Sequence, residues 1–239
     1  DHLVGIYNKT FIYDVWSCRK NKGLTKAISR AQKFMTGYRT SYVWRSDVTK
    51  FFDNVDHTVL TGILNRKVHD PMACYLLREI IDSYHTVKTE KCVKGIPIGN
   101  LTSQVFSNIY LNEFDRFISH TIKPQAYMRY GDDFIVIMED KAALEAARKH
   151  GVAFLAETLG LKVNPKNDVI VKAKEGIYFL GVEIFPSGRR LKKRNWHRAT
   201  TRVNARNVGS YWRLVNQHAT KRQRKQFDWI LFDSVINEN

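Results

Sequence analysis

The stretch "RYGDDFIVI", Arg129 to Ile137, sets two adjacent carboxylates, Asp132 and Asp133, on a glycine between two apolar runs. Like charges at the tip of a tight hairpin repel, and in a low dielectric one pKa must rise unless a cation neutralises the pair. A divalent metal is the economical neutraliser. Hard carboxylate oxygens suit Mg²⁺, which one or two carboxylates hold while water and substrate phosphate oxygens complete its shell. The plain alternative is a solvated turn, since glycine and aspartate are favoured turn residues. A third carboxylate tilts the balance. In "WRSDVTKFFDNVDH", Asp47 ends a β-like run and is followed by the paired aromatics Phe51 and Phe52. Its strand is expected beside the hairpin, where two metal ions bridged by Asp47 and one hairpin aspartate would activate a 3′-hydroxyl and stabilise departing pyrophosphate. Asp53 and Asp56 compete for the role. Asp53 lies beyond the strand and Asp56 is better placed as a helix cap, so both rank below Asp47.

The elements that must position these residues follow from local patterning. "LTKAISRAQKFM", Leu24 to Met35, reads as an amphipathic helix with a cationic outer face. "SYVWRSDV" alternates like a strand, and Asp56 or Thr58 is expected to cap a helix running through Leu64. "DPMACYLLREIIDSYH" reads as a helix capped by Asp70 with Pro71 in its first turn. A short loop follows, then a bend at Gly95, Pro97, Gly99 and Asn100 and a long, largely buried helix carrying Val105, Ile109, Phe114 and Ile118. "AYMRY", Gly131 and "FIVIM" form a hairpin. "KAALEAARKHGVAFLAETLG" is a helix ended by Gly160, followed by a strand at Leu161–Val163 and a second hairpin, "IYFLGVEIFPSGRRL". This β-α-β-β-α-β succession predicts an antiparallel sheet backed by helices.

Charge narrows the partner. The 239 residues carry a net charge of +16, unevenly spread. Residues 1–46 hold 9 basic and 2 acidic residues, residues 47–185 hold 17 and 18, and residues 186–239 hold 13 and 3. Basic flanks around a near-neutral centre suit a protein that grips a polyanion at its ends and works on it in the middle. Trp196, Tyr211, Trp212 and Trp229 interleave with the C-terminal cations as stacking or helix-packing residues. A solvated basic surface and binding to anionic membrane are the competing readings. No apolar run approaches the roughly 20 residues that span a bilayer, so a soluble protein without a membrane role is expected. The odd, scattered cysteines Cys18, Cys74 and Cys92 exclude a disulfide framework or zinc site and fit a reducing setting.

The segments "SDVTKFFDNVDH", "GIPIGNLTSQVFSNIYLNEFD", "RYGDDFIVI", "LGLKVNPKND" and "IYFLGVEIFPSGRRL" resemble, in order and spacing, the palm motifs of reverse transcriptases. The resemblance covers about Tyr42 to Leu191, and "GSYWRLVNQHA" is similar to the start of a thumb. The "GIPIGN…SQ" form resembles the bacterial and phage enzymes of diversity-generating retroelements. The resemblance implies an α+β, right-handed polymerase fold with an antiparallel-sheet, ferredoxin-like palm: fingers at 1–46 and 57–104, palm at 47–56 and 105–185, and a short helical thumb at 186–239. It implies Asp47, Asp132 and Asp133 as the catalytic carboxylates, with the Val48 carbonyl as a further ligand to two Mg²⁺ ions, for which Mn²⁺ can substitute. Phe51, Phe52, Ile98, Gly99, Asn100 and Gln104 match nucleotide-binding positions. An aromatic face at Phe52 would exclude a 2′-hydroxyl, although simple core packing also explains it, and Gly99 allows close backbone approach.

Ile98 replaces the glutamine usual in other reverse transcriptases, which implies lowered fidelity. Phe179, Leu180 and Gly181 match a hairpin that holds the primer end. Lys166 is the candidate proton donor to pyrophosphate, although the register more usually places that residue at 167. Lys20, Lys22, Lys26 and Arg30, with Arg189, Arg190, Lys192, Lys193 and Arg194, are the expected phosphate contacts.

The implied activity is RNA-directed DNA synthesis from a structured RNA template and primer, with deoxynucleoside triphosphates as substrates and an RNA–DNA hybrid as product. The implied setting is the cytoplasm of a bacterium or archaeon, or a phage-encoded protein there. The segment 186–239 is expected to be too short for an RNase H, maturase or endonuclease domain, and so short a thumb implies help from a small basic helical accessory oligomer. Retron, group II intron-like and phage-defence reverse transcriptases are the alternatives within the class. A catalytically silent RNA-binding scaffold is the alternative outside it, and clustered carboxylates facing phosphate argue against that.

Overall fold

The computed structural model describes residues 2–90, 92–204 and 206–237. The chain divides into two compact units, Asp1–Ala27 with Ser41–Val171 and Ile28–Thr40 with Lys172–Asn239.

Helix α1 (His2–Tyr7) opens the first unit, and helix α2 (Leu24–Gly37) carries the chain from the first unit into the second. The helical spacing expected from Leu24 holds, for Ala27, Ile28, Ala31 and Met35 are all buried. The chain returns as β1 (Tyr42–Ser46), makes a single turn α3 (Phe51–Asn54) and continues in α4 (His57–Asn65) and α5 (Pro71–Asp82). Both expected acidic caps form. Asp56 accepts from the Thr58 and Val59 amides at 2.9 and 3.2 Å, and Asp70 accepts from the Ala73 amide at 2.7 Å. Each satisfies donors that a helix start leaves orphaned.

A ribbon of β2 (Val87–Lys88) and β3 (Val93–Lys94) stands where a plain loop is expected. Helix α6 (Leu101–Phe117) follows and runs on into a π-helical turn, Ile118–Ile122. Then come β4 (Ala126–Tyr130), β5 (Asp133–Met138), α7 (Lys141–Leu159) and β6 (Val169–Lys172).

The sheet order is β4-β5-β1-β6. Strand β1 pairs antiparallel with β5 from Tyr42↔Met138 to Ser46↔Phe134, and β4 pairs with β5 from Ala126↔Ile137 to Tyr130↔Asp133. Gly131 and Asp132 alone therefore make the turn. Aromatic edges lock α6 to the sheet: Trp44 meets Phe134 with ring centroids 5.0 Å apart, and Phe114 meets Phe134 at 5.1 Å.

One expected strand is displaced. Leu161–Val163 forms only an isolated bridge, Val163 to Val48, and the fourth strand is Val169–Lys172. Backbone bonding explains this. The Thr49 amide donates to the Lys162 carbonyl and the Asn164 amide donates to the Asp47 carbonyl, both at 2.8 Å. Pro165 then supplies no amide hydrogen, and the chain turns around Asn164 before a longer ladder can form.

The second unit contains the rest of α2 and a meander of β7 (Ile177–Phe179), β8 (Val182–Phe185) and β9 (Gly188–Leu191). The expected second hairpin is thus three-stranded. Helices α8 (Lys193–Thr201), α9 (Val208–His218) and α10 (Lys221–Asn237) follow, with Leu191, Ala199, Val215, Ala219 and Phe227 as their buried core. Gln32 Nε2 donates to the Phe185 carbonyl at 2.6 Å, tying α2 to the meander. The three cysteines are free thiols, and no described helix is long and apolar enough to cross a membrane.

Candidate active site

Sheet register brings the carboxylates together. Carried one residue past Ser46↔Phe134, the β1–β5 pairing sets Asp47 opposite Asp133 on one face of the sheet. Asp132 sits beside them in the β4–β5 turn, where Gly131 has φ 63, a left-handed conformation that glycine takes without a Cβ penalty.

The turn is held from inside the protein. Arg129 and Asp115, both with no side-chain exposure, form a bidentate pair: Nε to Oδ1 at 2.7 Å and Nη2 to Oδ2 at 2.6 Å. Tyr127 donates to the same carboxylate at 2.6 Å. The remaining guanidinium nitrogen donates to the Gly131 carbonyl at 2.8 Å and to Asn108 Oδ1 at 3.2 Å. The Gly131 amide donates to Ser17 Oγ at 2.9 Å. Both backbone groups of Gly131 are thus fixed by side chains beneath the turn.

The Asp132 carboxyl is pushed up to about 6, first by burial and then by the neighbouring charges of Asp133 and Asp47, against the pull of its own backbone amide and of Arg129. Burial also raises the Asp133 carboxyl, against the pull of Arg45, whose guanidinium donates to Asp133 Oδ1 at 2.6 Å. Asp47 Oδ2 accepts from Asn167 Nδ2 at 3.0 Å and lies 3.4 Å from Asn164 Nδ2, while its Oδ1 is buried without a partner.

Among the described residues no group of three or more His, Cys, Asp or Glu side chains converges closely enough to hold an ion alone. The donor set nevertheless fits a hard divalent cation that takes part of its shell from outside the protein. It offers an orphaned carboxylate oxygen on Asp47 and a second carboxylate, Asp132, whose ionisation is opposed by burial and by two neighbouring aspartates. The third, Asp133, is already engaged by Arg45. Val48 follows Asp47 directly, in the bridge to Val163.

The other expected residues are placed as follows. Phe51 is buried, with Phe52 half-buried against it at 5.4 Å between ring centroids. Ile98 is 75% exposed, and Gly99 (φ 94) and Asn100 lead into α6. Gln104 lines a cavity of about 520 Å³ with Cys18, Arg19, Lys20, Leu101 and Val105. Lys166 is exposed, and the side chain on this loop that reaches Asp47 is its neighbour Asn167. In the second unit, Phe179 is fully buried, Leu180 and Gly181 make the β7–β8 turn with φ 52 and 85, and Asn195 donates to the Gly181 carbonyl at 2.8 Å.

Several expected phosphate contacts have internal partners. Lys22 Nζ lies 3.6 Å from the Tyr13 ring centroid and donates to the Tyr13 carbonyl at 2.7 Å, and Lys26 donates to the Asn21 carbonyl at 2.7 Å. Arg30 stacks on Phe34, Arg190 bonds Glu183 at 2.6 Å, and Lys192 covers Tyr178. Arg189 is half-buried, while Lys193 and Arg194 are exposed at the start of α8.

The sequence reading missed Arg45, Asn164, Asn167, Arg129 and Asp115. One signal was available: a basic residue two positions before Asp47 on the same strand must share its face.

Residues 3–184 match the reverse transcriptase (RNA-dependent DNA polymerase) family. Protein YkfC of Escherichia coli is 28% identical over 177 residues, which is 60% of this chain and 46% of that protein. Group II intron-encoded protein LtrA of Lactococcus lactis is 27% identical over 118 residues, covering 48% of this chain and 19% of the relative. The chain therefore spans less than half the length of either relative. Among solved structures, telomerase from Candida albicans, in complex with a TWJ fragment of telomeric RNA, superposes with a TM-score of 0.56 at 13% identity, over 96% of this chain and 46% of that one. At that identity the likeness concerns the fold alone, and it fits the mixed α/β architecture with antiparallel sheets. With the family match spanning three quarters of its length, the chain belongs to the reverse transcriptase family.

Proposed function

We propose that this chain is the RNA-directed DNA polymerase part of a reverse transcriptase, extending a primer on a structured RNA template with deoxynucleoside triphosphates. The observation that carries the reading is the β1–β5 register, which sets Asp47 opposite Asp133 beside a turn bearing Asp132. Fingers at 1–46 and 57–104, palm at 47–56 and 105–185 and thumb at 186–239 are the corresponding parts.

Asp47, Asp132, Asp133 and the Val48 carbonyl are the groups to hold two Mg²⁺ ions, which when bound supply charge neutralisation at the attacking 3′-hydroxyl and the leaving pyrophosphate. The chain does the rest. Arg45 orients Asp133, Asn167 orients Asp47, and the Arg129–Asp115 pair fixes the height of the turn. Phe52 fills the space of a 2′-hydroxyl, and Ile98, Gly99 and Asn100 form the surface against which the incoming base pair packs. Phe179–Gly181 holds the primer end.

Primer extension on an RNA template tests the reading, with Asp132→Ala/Asp133→Ala as control. The wild-type chain is expected to extend and the double variant to be silent. Absence of extension in both, with RNA binding intact, would favour a scaffold role.

Within the class, the apolar, exposed Ile98 supports an error-prone enzyme of a diversity-generating retroelement, working with a small basic helical oligomer. Ile98→Gln is then expected to lower misincorporation opposite template adenines, and an unchanged error spectrum sinks that assignment. The likeness to LtrA favours a second reading, an intron-type enzyme. A pair of genomic repeats differing chiefly at adenines distinguishes the first from the second.

A further inference from the structure

The segment that leads into Ile98–Asn100 is fastened to the turn that carries Phe52. The Ile96 amide donates to the Phe52 carbonyl at 2.8 Å, and the Gly95 amide donates to the Val55 carbonyl at 2.9 Å. Two side chains outside both segments close the fastening. His57, buried at the start of α4, has Nε2 2.7 Å from the Gly95 carbonyl, so Nε2 carries the proton, and Nδ1 lies 3.4 Å from Asp82 Oδ1. Thr86 Oγ1 lies 2.6 Å from the Asp53 carbonyl and 3.1 Å from the Lys94 carbonyl, and its single hydroxyl proton serves one at a time. The Thr86 amide donates to the Lys94 carbonyl at 2.8 Å.

Gly95 makes the path of this segment inflexible. Its φ of 112 suits glycine alone, and a Cβ there would stand 2.7 Å from both the amide nitrogen and the hydroxyl of Thr86. Its carbonyl sits in a buried residue, where loss of the imidazole donor leaves an acceptor unpaired. Val55 and Ile96, on either side of the fastening, are 0% and 1% exposed, so relaxation by repacking is limited.

We propose that His57 and Thr86 are positioning residues for sugar selection: they touch no substrate, yet they fix the Phe52 backbone relative to the Ile98–Asn100 loop and so set the width of the slot between them. This rests on the polymerase reading and on Phe52 as the residue that rejects a 2′-hydroxyl.

The test is the ratio of kcat/KM for deoxynucleotide over ribonucleotide, measured with the full chain on an RNA template. A ratio cancels the fraction of active enzyme, so a merely destabilised variant leaves it unmoved. His57→Phe keeps the ring and Thr86→Val keeps the shape, but both remove the donor; His57→Phe is expected to lower the ratio about tenfold, the scale of one lost buried hydrogen bond, and Thr86→Val about threefold, since its bond is exposed. His57→Gln and Thr86→Ser retain a donor and are expected to stay near the wild-type ratio. Thr86 is an exposed residue, so its variants report even where His57→Phe lowers Tm. Phe52→Ala is the reference. If it loses discrimination while His57→Phe and Thr86→Val keep the wild-type ratio, the positioning role is overturned and the polymerase reading stands. If Phe52→Ala itself leaves the ratio unchanged, sugar selection at Phe52 fails and the inference fails with it. If the wild-type chain does not extend a primer, the polymerase reading falls first.

Discussion

Asp132 bears its charge against burial and against two neighbouring aspartates, which is why its carboxyl is pushed up to about 6. In the unfolded chain the same group titrates at about 3.9. Between those values the folded state binds the more protons, so stability falls as pH rises through the window, and the whole penalty is present above the folded value. Asp132→Asn is therefore expected to stabilise the metal-free protein at about pH 8 by about 1–2 kcal/mol, below the ~3 that two pKa units convert to, because solvent partly screens the group. Near pH ~4 the gain should vanish. Urea unfolding in a chelator at both pH values checks this, and an equal gain at both would assign the effect to something other than the proton. That the three carboxylates meet was legible in the sequence, because a glycine hairpin and a strand end are locally encoded. Arg45 and Asn167 were not, because which side chain reaches a carboxylate depends on strand register and loop path, and one sequence discloses neither.

At the scale of elements, the Gly131 turn is as firm as the ion pair below it. Asp115→Asn would leave the fully buried Arg129 guanidinium with half its compensation, and breaking one side of such a pair costs about 3–5 kcal/mol. The same variant frees the Gly131 carbonyl to move with Arg129, so its urea midpoint should fall and primer extension should fall further than stability alone predicts. Ser17→Ala removes the acceptor of the Gly131 amide together with a longer donation to Asn108 Oδ1 at 3.4 Å, and is expected to cost about 1 kcal/mol. The helices with acidic caps, α4 and α5, and the β4–β5 hairpin could be read from sequence, since caps and glycine turns are local devices. The β2–β3 ribbon, the single turn α3 and the true position of β6 could not. The ribbon is too short to show an alternating pattern, while α3 and the stretch before β6 depend on backbone partners from distant segments, as the Ile96 amide gives Phe52 and the Thr49 and Asn164 amides give the chain around Asp47.

Over the whole molecule, the basic flanks that give the net charge of +16 predict, on the polymerase reading, a steep salt dependence for RNA binding. Exposed Arg194 should count fully: Arg194→Ala is expected to reduce the slope of log K against log salt by roughly 0.7–0.9. Lys22 is different, for its ammonium already lies over Tyr13 and Trp16 and bonds the Tyr13 carbonyl. Lys22→Ala should leave the slope nearly unchanged and lower Tm instead, so filter-binding titrations of the two variants separate electrostatic grip from structural use of charge. The β1–β5 pairing adds a constraint of another kind. Between Asp47 and Asp132 the described chain passes through helices α3 to α6, the β2–β3 ribbon, a π-helical turn and β4, and the loops that precede β4 can lengthen or shorten without changing the register that faces the carboxylates. Inside β1 or β5, adding or losing one residue turns the acid at the strand's end to the opposite face of the sheet. Drift is therefore free in distance but quantised in phase: insertions can accumulate in the loops between β1 and β4, while the two strands and the Gly131–Asp132 turn admit none.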